Sequence, residues 1–468
     1  MKFRLPVTIL VAAGLLAGCS QMGQTGKPAE IVSRLVPAEG AIPGVPPEVE
    51  YADFWIRKAD NPDAVIMSHE EIEEFNRNNP MSGTYIMDLL GLPEELDGAE
   101  YGNYLKSQAR RILDTKYFVT GDIPLEQADR KRIVALMDTT AVPEIVTPRF
   151  GMMLRREYGK IWPTTIPLMG DPDDNEFDMN MVTAVDMGEP VVLIHTSRDG
   201  RWSFVQHSLY TCWMPSDAIA FGTRETVAML RDKENIVVAT GHRVSVYGDP
   251  SVSAAIGSFQ MGSYFPIAAV GNEYMAVQIP GRGSNGELIA RQGYVRRDSN
   301  ISIGFLPYTL RNVYRQIFLP YGHRYGWGGM YEERDCSNYV LDVYRSFGII
   351  LPRNSSKQAE ASRAVISLDG MNRPTRMQVL NSSPGGITIL RLPGHVMIYL
   401  GDVNGKPYMA HDFWAWRTPA EDGGPDITHR AARIAVTDFL LGEGSKRGAF
   451  IDRLSHVTIL ADYVIEQP

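Results

Sequence analysis

The chain has 468 residues, of which 44% are hydrophobic and 22% are charged, and its formal net charge is −9. These values are close to the globular average, so they exclude global disorder, and the length predicts roughly three domains. An acidic chain lacks the dense basic surface that phosphate backbones require, so we expect no nucleic-acid partner. The cysteines Cys19, Cys212 and Cys336 are too few for a disulfide framework and include no Cys-x-x-Cys pair. We predict neither a metal site nor another cofactor.

The first 19 residues have the pattern of a secretory signal peptide. Two basic residues precede an apolar run from Leu5 to Leu16, which is too short to span a bilayer comfortably. The sequence Leu16-Ala17-Gly18-Cys19 resembles the bacterial lipobox, in which the cysteine carries lipid; an ordinary signal peptide with a chance cysteine is the alternative. Ser20 resembles the signal that sorts lipoproteins to the outer membrane. We therefore expect a protein of the cell envelope, anchored by lipid at the periplasmic face of the outer membrane.

The next two segments differ sharply in composition. Residues 20–48 are rich in Pro, Gly and Ala and are interpreted as a flexible tether. Residues 49–148 form a mainly helical N-terminal domain, since apolar residues recur in them at three- and four-residue spacing. Ser68 followed by Glu71 predicts a capping box at the start of one of these helices. No catalytic grouping stands out here, which favours a structural or clamp role.

Short β-rich runs separated by Gly, Pro and Asp turns begin near residue 149. Residues 188–214 and 262–295 resemble each other: each has a Gly-led strand, a polar turn such as Asp199-Gly200, and a closing aromatic-aliphatic pair. This pattern resembles the bacterial SH3-like barrel. We predict two such barrels, at 149–235 and 236–304.

Two features of this region invite a functional interpretation that their context does not support. Gly281, Gly283 and Gly286 match the dinucleotide fingerprint G-x-G-x-x-G, but the segment that follows them reads as a strand rather than a helix. Cys212 lies beside Trp213 in a closing strand and is expected to pack as a small hydrophobic residue.

Cys336 is the candidate nucleophile. Val340, Val343, Tyr344 and Phe347 recur after it at helical spacing, which places the cysteine in the first turn of a helix. A thiol there meets the positive end of the helix dipole and unpaired backbone N–H groups, and both favour the thiolate. A buried structural cysteine is the alternative.

Two histidines supply the partners that a thiol nucleophile needs. His395 opens one predicted strand and His411 lies in the next. A wide loop at 401–405 would place the two histidines opposite each other on one face of the hairpin. A tight turn at Asn404-Gly405 would instead pair His395 with Trp414 and direct His411 to the other face. The wide loop is predicted here, because it assembles nucleophile, base and orienting group.

Four motifs stand out in the C-terminal third: Tyr325-Gly-Trp-Gly-Gly, Asp335-Cys336-Ser337, Leu351-Pro352-Arg353-Asn354-Ser355 with Gln358, and the His-Val-x-Ile-Tyr-Leu-Gly strand at 395–401. With these motifs, residues 306–465 resemble the NlpC-type cysteine peptidases of bacterial cell-wall metabolism. Two departures from the family pattern affect fine positioning: Asn338 stands where Gly is usual, and Gly386 where Asp is usual.

The resemblance implies a papain-like α+β domain at 305–468 that cleaves peptidoglycan stem peptides or muropeptides between γ-D-glutamate and an L-diamino acid such as diaminopimelate. It implies Cys336 as nucleophile, His395 as general base and His411 as the residue that orients His395. The candidate substrate contacts are Tyr325, Asp335, Ser337, Trp327 and Arg353. Asp335 is as well explained as a helix cap. Trp327 is as well explained by core packing, and Arg353 as an exposed arginine.

The predicted fold class is thus multidomain α+β, with a helical segment, two SH3-like barrels and a papain-like peptidase domain. Two rival functions stay open. Another Cys–His amidase or acyltransferase would use the same residues with a different pocket. A non-catalytic wall-binding lipoprotein would use the barrels alone.

Overall fold

The computed structural model describes residues 35–37 and 42–461, so the predicted signal peptide, the lipobox and most of the tether lie outside the described residues. The described residues divide into two compact units. The first comprises 82–305 and 327–332, and the second comprises the residues up to 81 together with 306–326 and 333–461. The predicted helical segment therefore contributes residues to both units. No helix among the described residues is long and apolar enough to cross a membrane.

Ten α-helices occur in the described residues, and most begin after a residue whose side chain caps the first turn. The predicted capping box is confirmed, because Ser68 and Glu71 bond reciprocally to each other's backbone N–H groups. The helices are α1 (Ala52–Lys58), α2 (His69–Arg77), α3 (Gly98–Asp114), α4 (Gln127–Met137), α5 (Arg224–Leu230), α6 (Leu310–Phe318), α7 (Cys336–Arg345), α8 (Ser355–Gln358), α9 (Arg373–Asn381) and α10 (Phe450–Arg453).

A seven-stranded antiparallel sheet forms the first β-rich part of the first unit. The turn predicted at Asp199-Gly200 is confirmed, with Gly200 at φ +72° between two paired strands. Helix α3 packs nearby, since the Trp162 indole donates a 2.9 Å hydrogen bond to the Gln108 carbonyl. The strands are Arg149–Met153, Glu157–Lys160, Met181–Val185, Pro190–Thr196, Trp202–His207, Thr211–Pro215 and Ile219–Gly222.

A second seven-stranded sheet follows in the same unit, around a core that includes Phe259 and Phe265. Gly281 lies in one of its strands, and the next strand begins at Leu288, two residues after Gly286. A strand follows the glycines, as the sequence analysis predicts, whereas the dinucleotide fingerprint requires a helix at that point. The strands are Ile236–Ala239, Arg243–Tyr247, Ala255–Gln260, Tyr264–Val270, Tyr274–Arg282, Leu288–Arg296 and Ile301–Ile303.

The second unit is built on one mixed sheet of seven strands in the order β1-β6-β5-β4-β3-β7-β2. Strand β1 pairs with β6 in parallel, and the other neighbours are antiparallel. The strands are β1 (Leu35–Pro37), β2 (Ala364–Ser367), β3 (Thr388–Leu392), β4 (His395–Val403), β5 (Lys406–Thr418), β6 (Ile427–Asp438) and β7 (His456–Ile459). Three two-stranded pairs complete the described strands: Val65–Met67 with Tyr308–Thr309, Leu96–Asp97 with Ile145–Val146, and Phe118–Thr120 with Ile123–Pro124.

Helix α7 packs against β4 and β5 in the middle of this sheet. All but one of its ten residues are buried, including Tyr339 and Tyr344. A separate apolar cluster joins β4 and β5 to α9 and α10 through residues such as Met397, Phe413 and Phe450. The helix that begins at Cys336 and the strands that carry the two histidines are therefore held in one packed core.

Candidate active site

Cys336 is the first residue of α7, as the sequence predicts, and it is 4% exposed. Asp335 caps the helix: its Oδ1 accepts a 2.9 Å hydrogen bond from the backbone N–H of Asn338. The thiol thus lies at a helix start, where backbone N–H groups have no partner inside the helix. These groups create a positive local potential that suits a thiolate or an oxyanion.

The glycine-rich approach to Cys336 divides between the two units. Tyr325 belongs to the second unit, where its N–H bonds to the Ala432 carbonyl and its ring lies 5.9 Å from that of Trp414. Trp327 belongs to the first unit, where its indole N–H donates to the Asp178 carbonyl at 2.9 Å and its ring contacts Phe177. The described contacts of Trp327 are those of a packed tryptophan.

His395 and His411 are joined by a hydrogen bond of 2.8 Å between Nε2 of His395 and Nδ1 of His411. His411 is fully buried, and its ring stacks on that of Phe413 at 4.2 Å with an interplanar angle of 1°. The Phe450 ring meets the same imidazole edge-on at 5.5 Å. Two aromatic side chains therefore hold the orientation of the His411 ring, and that ring is hydrogen-bonded to His395.

The hairpin that carries the two histidines has a tight turn, so the predicted wide loop at 401–405 is wrong. Val403 lies directly opposite Lys406, and both turn residues, Asn404 and Gly405, have positive φ. Such a turn matches the right-handed twist of the strands and suits Asn-Gly sequences.

A β-bulge between Tyr399 and Gly401 restores the arrangement that the tight turn alone would lose. It shifts the register by one residue, so that Tyr399 lies opposite Met409. A shift of one residue transfers every later side chain of one strand to the other face relative to its partner. His395 and His411 consequently share a face, as the sequence analysis expected, but they are diagonal rather than directly opposed.

Thr437 is a further member of this site that the sequence analysis missed. Its Oγ1 lies 2.9 Å from Nε2 of His411, and its side chain is fully buried. It reaches His411 because β6 pairs with β5, with Ala435 opposite His411 and Thr437 two residues further along the same face. A threonine in a strand carries no sequence signal for such a role, since the contact depends on the register between two strands.

Electrostatics keep both imidazoles neutral. Burial, followed by the positive charges of Arg453 and Arg447, lowers the pKa of His395 to about 3, against the opposing effect of Asp335. Burial also holds the pKa of His411 well below its usual range, and repulsion from His395 adds to this. At pH 7 each ring therefore has one protonated and one unprotonated nitrogen, the state in which His395 can accept a proton.

Asp335, Ser337 and Arg353 form one buried network at the start of α7. The Arg353 guanidinium is 2% exposed and bonds to both carboxylate oxygens of Asp335, at 3.0 and 2.5 Å, and to Ser337 Oγ at 2.6 Å. Although burial opposes ionisation, Arg353 and the hydrogen bonds hold the pKa of Asp335 below its usual range. Arg353 is therefore not an exposed arginine, and its described contacts position the cap of the helix that carries Cys336.

The two departures from the family pattern have local explanations. Asn338 donates its side-chain amide to Asp342 at 3.0 Å, so it is built into the buried face of α7. Gly386 has φ +79°, a conformation that favours glycine, and its carbonyl accepts a hydrogen bond from the Tyr344 hydroxyl at 2.8 Å. Neither residue contacts the histidine pair through a described hydrogen bond.

The lowered histidine pKa values predict a stability that depends on pH. Because an unfolded histidine titrates near pH 6.5, acidification below that value protonates the unfolded state before the folded state. The free energy of unfolding therefore falls from pH 7 toward pH 4. The variant His411→Gln lacks one of these histidines, so its free energy of unfolding should fall less steeply with pH. Urea unfolding at pH 7, 6, 5 and 4 measures this.

Phe413→Leu is the matched control: it should lower the free energy of unfolding by a similar amount at every pH. Parallel curves for His411→Gln and the wild type would contradict the prediction.

Two family models match the chain. Residues 322–412 match the NlpC/P60 family, and this span contains Cys336, His395 and His411. Residues 167–215, within the first β-rich part, match an SH3 domain of the SH3b1 type. No curated protein matches the sequence.

Solved structures with the same fold include an NlpC/P60 endopeptidase from Photobacterium damselae subsp. piscicida. It has a TM-score of 0.74 at 17% identity, over 92% of this chain and 99% of that chain. An NlpC/P60 family protein from Bacillus cereus covers 67% of this chain and 99% of its own, at 14% identity and a TM-score of 0.46. The chain is therefore a multidomain α+β protein with an SH3-like β-rich region and a C-terminal papain-like domain that matches the NlpC/P60 family, a family of cysteine peptidases.

Proposed function

We propose that this protein is a peptidoglycan stem-peptide hydrolase that cleaves the bond between γ-D-glutamate and an L-diamino acid such as diaminopimelate. Cys336 is the nucleophile, His395 the general base and His411 its orienting partner. The observation that carries the proposal is the 2.8 Å hydrogen bond between the two histidines, on strands that pack against the helix beginning at Cys336. The match of residues 322–412 to a cysteine peptidase family supports it.

The hydrogen-bond chain suggests which nitrogen of His395 moves the proton. Nε2 of His395 faces His411, so Nδ1 is the nitrogen that exchanges a proton with Cys336. This requires that His395 Nε2–H donate to His411 Nδ1, and that His411 Nε2–H donate to Thr437 Oγ1. The Thr437 oxygen thereby selects the tautomer in which His395 is a base on the side of the nucleophile.

Acylation then follows from these positions. His395 Nδ1 takes the thiol proton, and the Cys336 sulfur attacks the γ-carbonyl carbon of D-glutamate. Backbone N–H groups at the start of α7 stabilise the oxyanion of the tetrahedral intermediate. Its collapse breaks the C–N bond, and the leaving amine of the diamino acid takes the proton from His395. The product of this step is a thioester on Cys336.

Deacylation reverses the roles. A water molecule gives a proton to His395 Nδ1 while its oxygen attacks the thioester carbon. Collapse of the second intermediate expels the sulfur, which recovers the proton from His395, and the γ-carboxylic acid is released. Tyr325 pairs with Arg334, two residues before the nucleophile, and is the proposed contact for the oxyanion or the substrate. The SH3-like region is proposed to bind peptidoglycan.

Replacement of the nucleophile tests the proposal directly. Cys336→Ala should abolish release of the free diamino acid from the tripeptide L-Ala-γ-D-Glu-meso-diaminopimelate, measured by mass spectrometry of the products. Cys212→Ala is the matched control and should retain activity, because Cys212 is 1% exposed and burial raises the pKa of its thiol. Cleavage by Cys336→Ala would overturn the assignment. A wild-type enzyme that leaves the stem peptide intact but cuts another acyl bond would favour a different amidase or acyltransferase.

Thr437 is predicted to act as a positioning residue. Thr437→Val keeps the shape of the side chain but removes the hydrogen bond to His411, which is worth about 1 kcal/mol, or roughly a fivefold loss in kcat. Since Thr437 does not touch the substrate in this scheme, KM should change little. Thr437→Ser retains the hydroxyl and should keep most of the activity. Equal kinetics for the valine and serine variants would show that the hydroxyl has no role beyond packing.

We also propose that Cys19 carries a lipid anchor that tethers the enzyme to the outer membrane, facing the periplasm. The support is the sequence Leu16-Ala17-Gly18-Cys19 after a short apolar run. Metabolic labelling with an alkyne fatty acid should mark the wild type but not Cys19→Ala, and the variant should leave the membrane fraction. Membrane retention of an unlabelled Cys19→Ala protein would rule out the anchor.

A further inference from the structure

Three arginines of the second unit lie on segments close to α10: Arg417 on β5, Arg447 in the loop before α10, and Arg453 at the end of α10. The Arg453 guanidinium lies 4.9 Å from the centre of the Phe450 ring, and that ring lies 5.5 Å from His411. Only one aromatic side chain therefore separates this guanidinium from the histidine pair.

The loop that carries Arg447 also meets the strand that carries Arg417. A Cβ atom placed on Gly442 would lie 3.1 Å from the carbonyl oxygen of Gly448 and 3.6 Å from that of Arg417. The backbone of Arg417 thus lies beside the residue that follows Arg447. The segments that carry Arg417 and Arg447 are therefore neighbours, and α10, which carries Arg453, begins three residues after Arg447.

All three side chains are half-buried, and within residues 42–461 none of them forms an ion pair. The acidic residues near this loop already have other partners. Arg373 binds Glu443 at 2.5 Å and Asp452 at 2.6 Å, and Asp426 accepts from the backbone N–H of Lys446.

Like charges in a partly buried cluster destabilise the folded protein. The effect is visible here: burial, then repulsion from Arg447 and Arg417, lowers the pKa of Arg453 to about 10. Burial and Arg417 likewise lower the pKa of Arg447. A cluster of this kind costs stability unless an anion binds to it, and guanidinium groups bind carboxylates through paired hydrogen bonds.

We propose that Arg417, Arg447 and Arg453 form a subsite that binds a carboxylate of the stem peptide beside the catalytic histidines. This inference rests on the proposed function and names a determinant of substrate recognition for that same site. Two carboxylates are the candidates: the α-carboxylate of the D-glutamyl residue, on the acyl side of the scissile bond, and the side-chain carboxylate of diaminopimelate, on the leaving side. The chemistry of recognition is the same for both.

The experiment combines three arginine variants with three substrates. The variants are Arg417→Gln, Arg447→Gln and Arg453→Gln, with Arg57→Gln on the exposed face of α1 as the matched control. The substrates are L-Ala-γ-D-Glu-meso-diaminopimelate, its D-isoglutamine analogue without the α-carboxylate, and its L-lysine analogue without the side-chain carboxylate. For the parent substrate we expect KM to rise about 10- to 100-fold in each variant, the loss typical of a hydrogen bond to a charged group.

The two analogues distinguish the source of the carboxylate. The wild type should bind weakly the analogue that lacks the recognised carboxylate, and the arginine substitutions should not raise the KM for that analogue further. They should still raise the KM for the other analogue, which keeps the recognised carboxylate. An equal loss on all three substrates, or unchanged KM with lowered kcat, would overturn the subsite.

Stability provides a second readout. Because the arginines repel one another, each Gln variant should unfold at the same temperature as the wild type or at a higher one. A clear fall in the unfolding temperature of all three variants would indicate a structural role and overturn the proposal. Arg447→Lys keeps the charge without the planar fork and should show a smaller KM effect than Arg447→Gln.

Binding to an inactive protein separates this inference from the proposed function. Calorimetry with Cys336→Ala and the parent tripeptide should show binding that weakens 10- to 100-fold when Arg453→Gln is added. If the wild type cleaves no stem peptide but this arginine-dependent binding is present, the subsite stands and the proposed reaction fails. If cleavage occurs and binding does not depend on the arginines, the reaction stands and the subsite fails.

Discussion

The hydrogen bond between His395 and His411 is the interaction on which the rest of the site depends, and a local irregularity of the sheet makes it possible. The tight turn at Asn404-Gly405 matches the twist of the hairpin strands. Without a bulge, however, its register would place His395 and His411 on opposite faces of the sheet. The bulge before Gly401 moves the register back by one residue and brings both imidazoles to one face. Bulges that redirect a side chain recur beside active sites, and here the bulge decides whether His395 and His411 can form a hydrogen bond at all.

Burial of that pair has both a benefit and a cost. Apolar and aromatic neighbours such as Phe413 and Phe450 hold the rings in place, and the loss of water keeps both histidines neutral. A neutral His395 is ready to accept a proton, but the folded protein then cannot benefit from protonation in acid, so the same arrangement weakens it at low pH. The arginines beside α10 strengthen both effects, because their positive charge disfavours the imidazolium of His395.

Cys336, the proposed nucleophile, is positioned by a different kind of interaction, a buried network of charges. Asp335 caps α7 while Arg353 compensates its charge, so the first turn of the helix is held by three types of partner: backbone, hydroxyl and guanidinium. Removing one member of such a network leaves an unpaired buried charge. This destabilises the folded protein more than replacing both members by apolar residues would. This explains why residues that read as substrate contacts in the sequence, Arg353 above all, have structural partners in the fold. A sequence shows the chemical type of each side chain, but it does not show which side chains are ion-paired or hydrogen-bonded to each other in the fold.

The sequence by itself determined what depends on local pattern: Cys336 at a helix start, the capping box at Ser68, the Asp199-Gly200 turn, and the strands that carry His395 and His411. It could not determine the register of β4 against β5, because an Asn-Gly turn and a compensating bulge have no unique signature in the residues between them. For the same reason it missed Thr437, which meets His411 only through the pairing of β5 with β6. It also missed that the loop carrying Arg447 meets the strand carrying Arg417. These features depend on contacts between residues far apart in the chain, and only tertiary packing sets those distances.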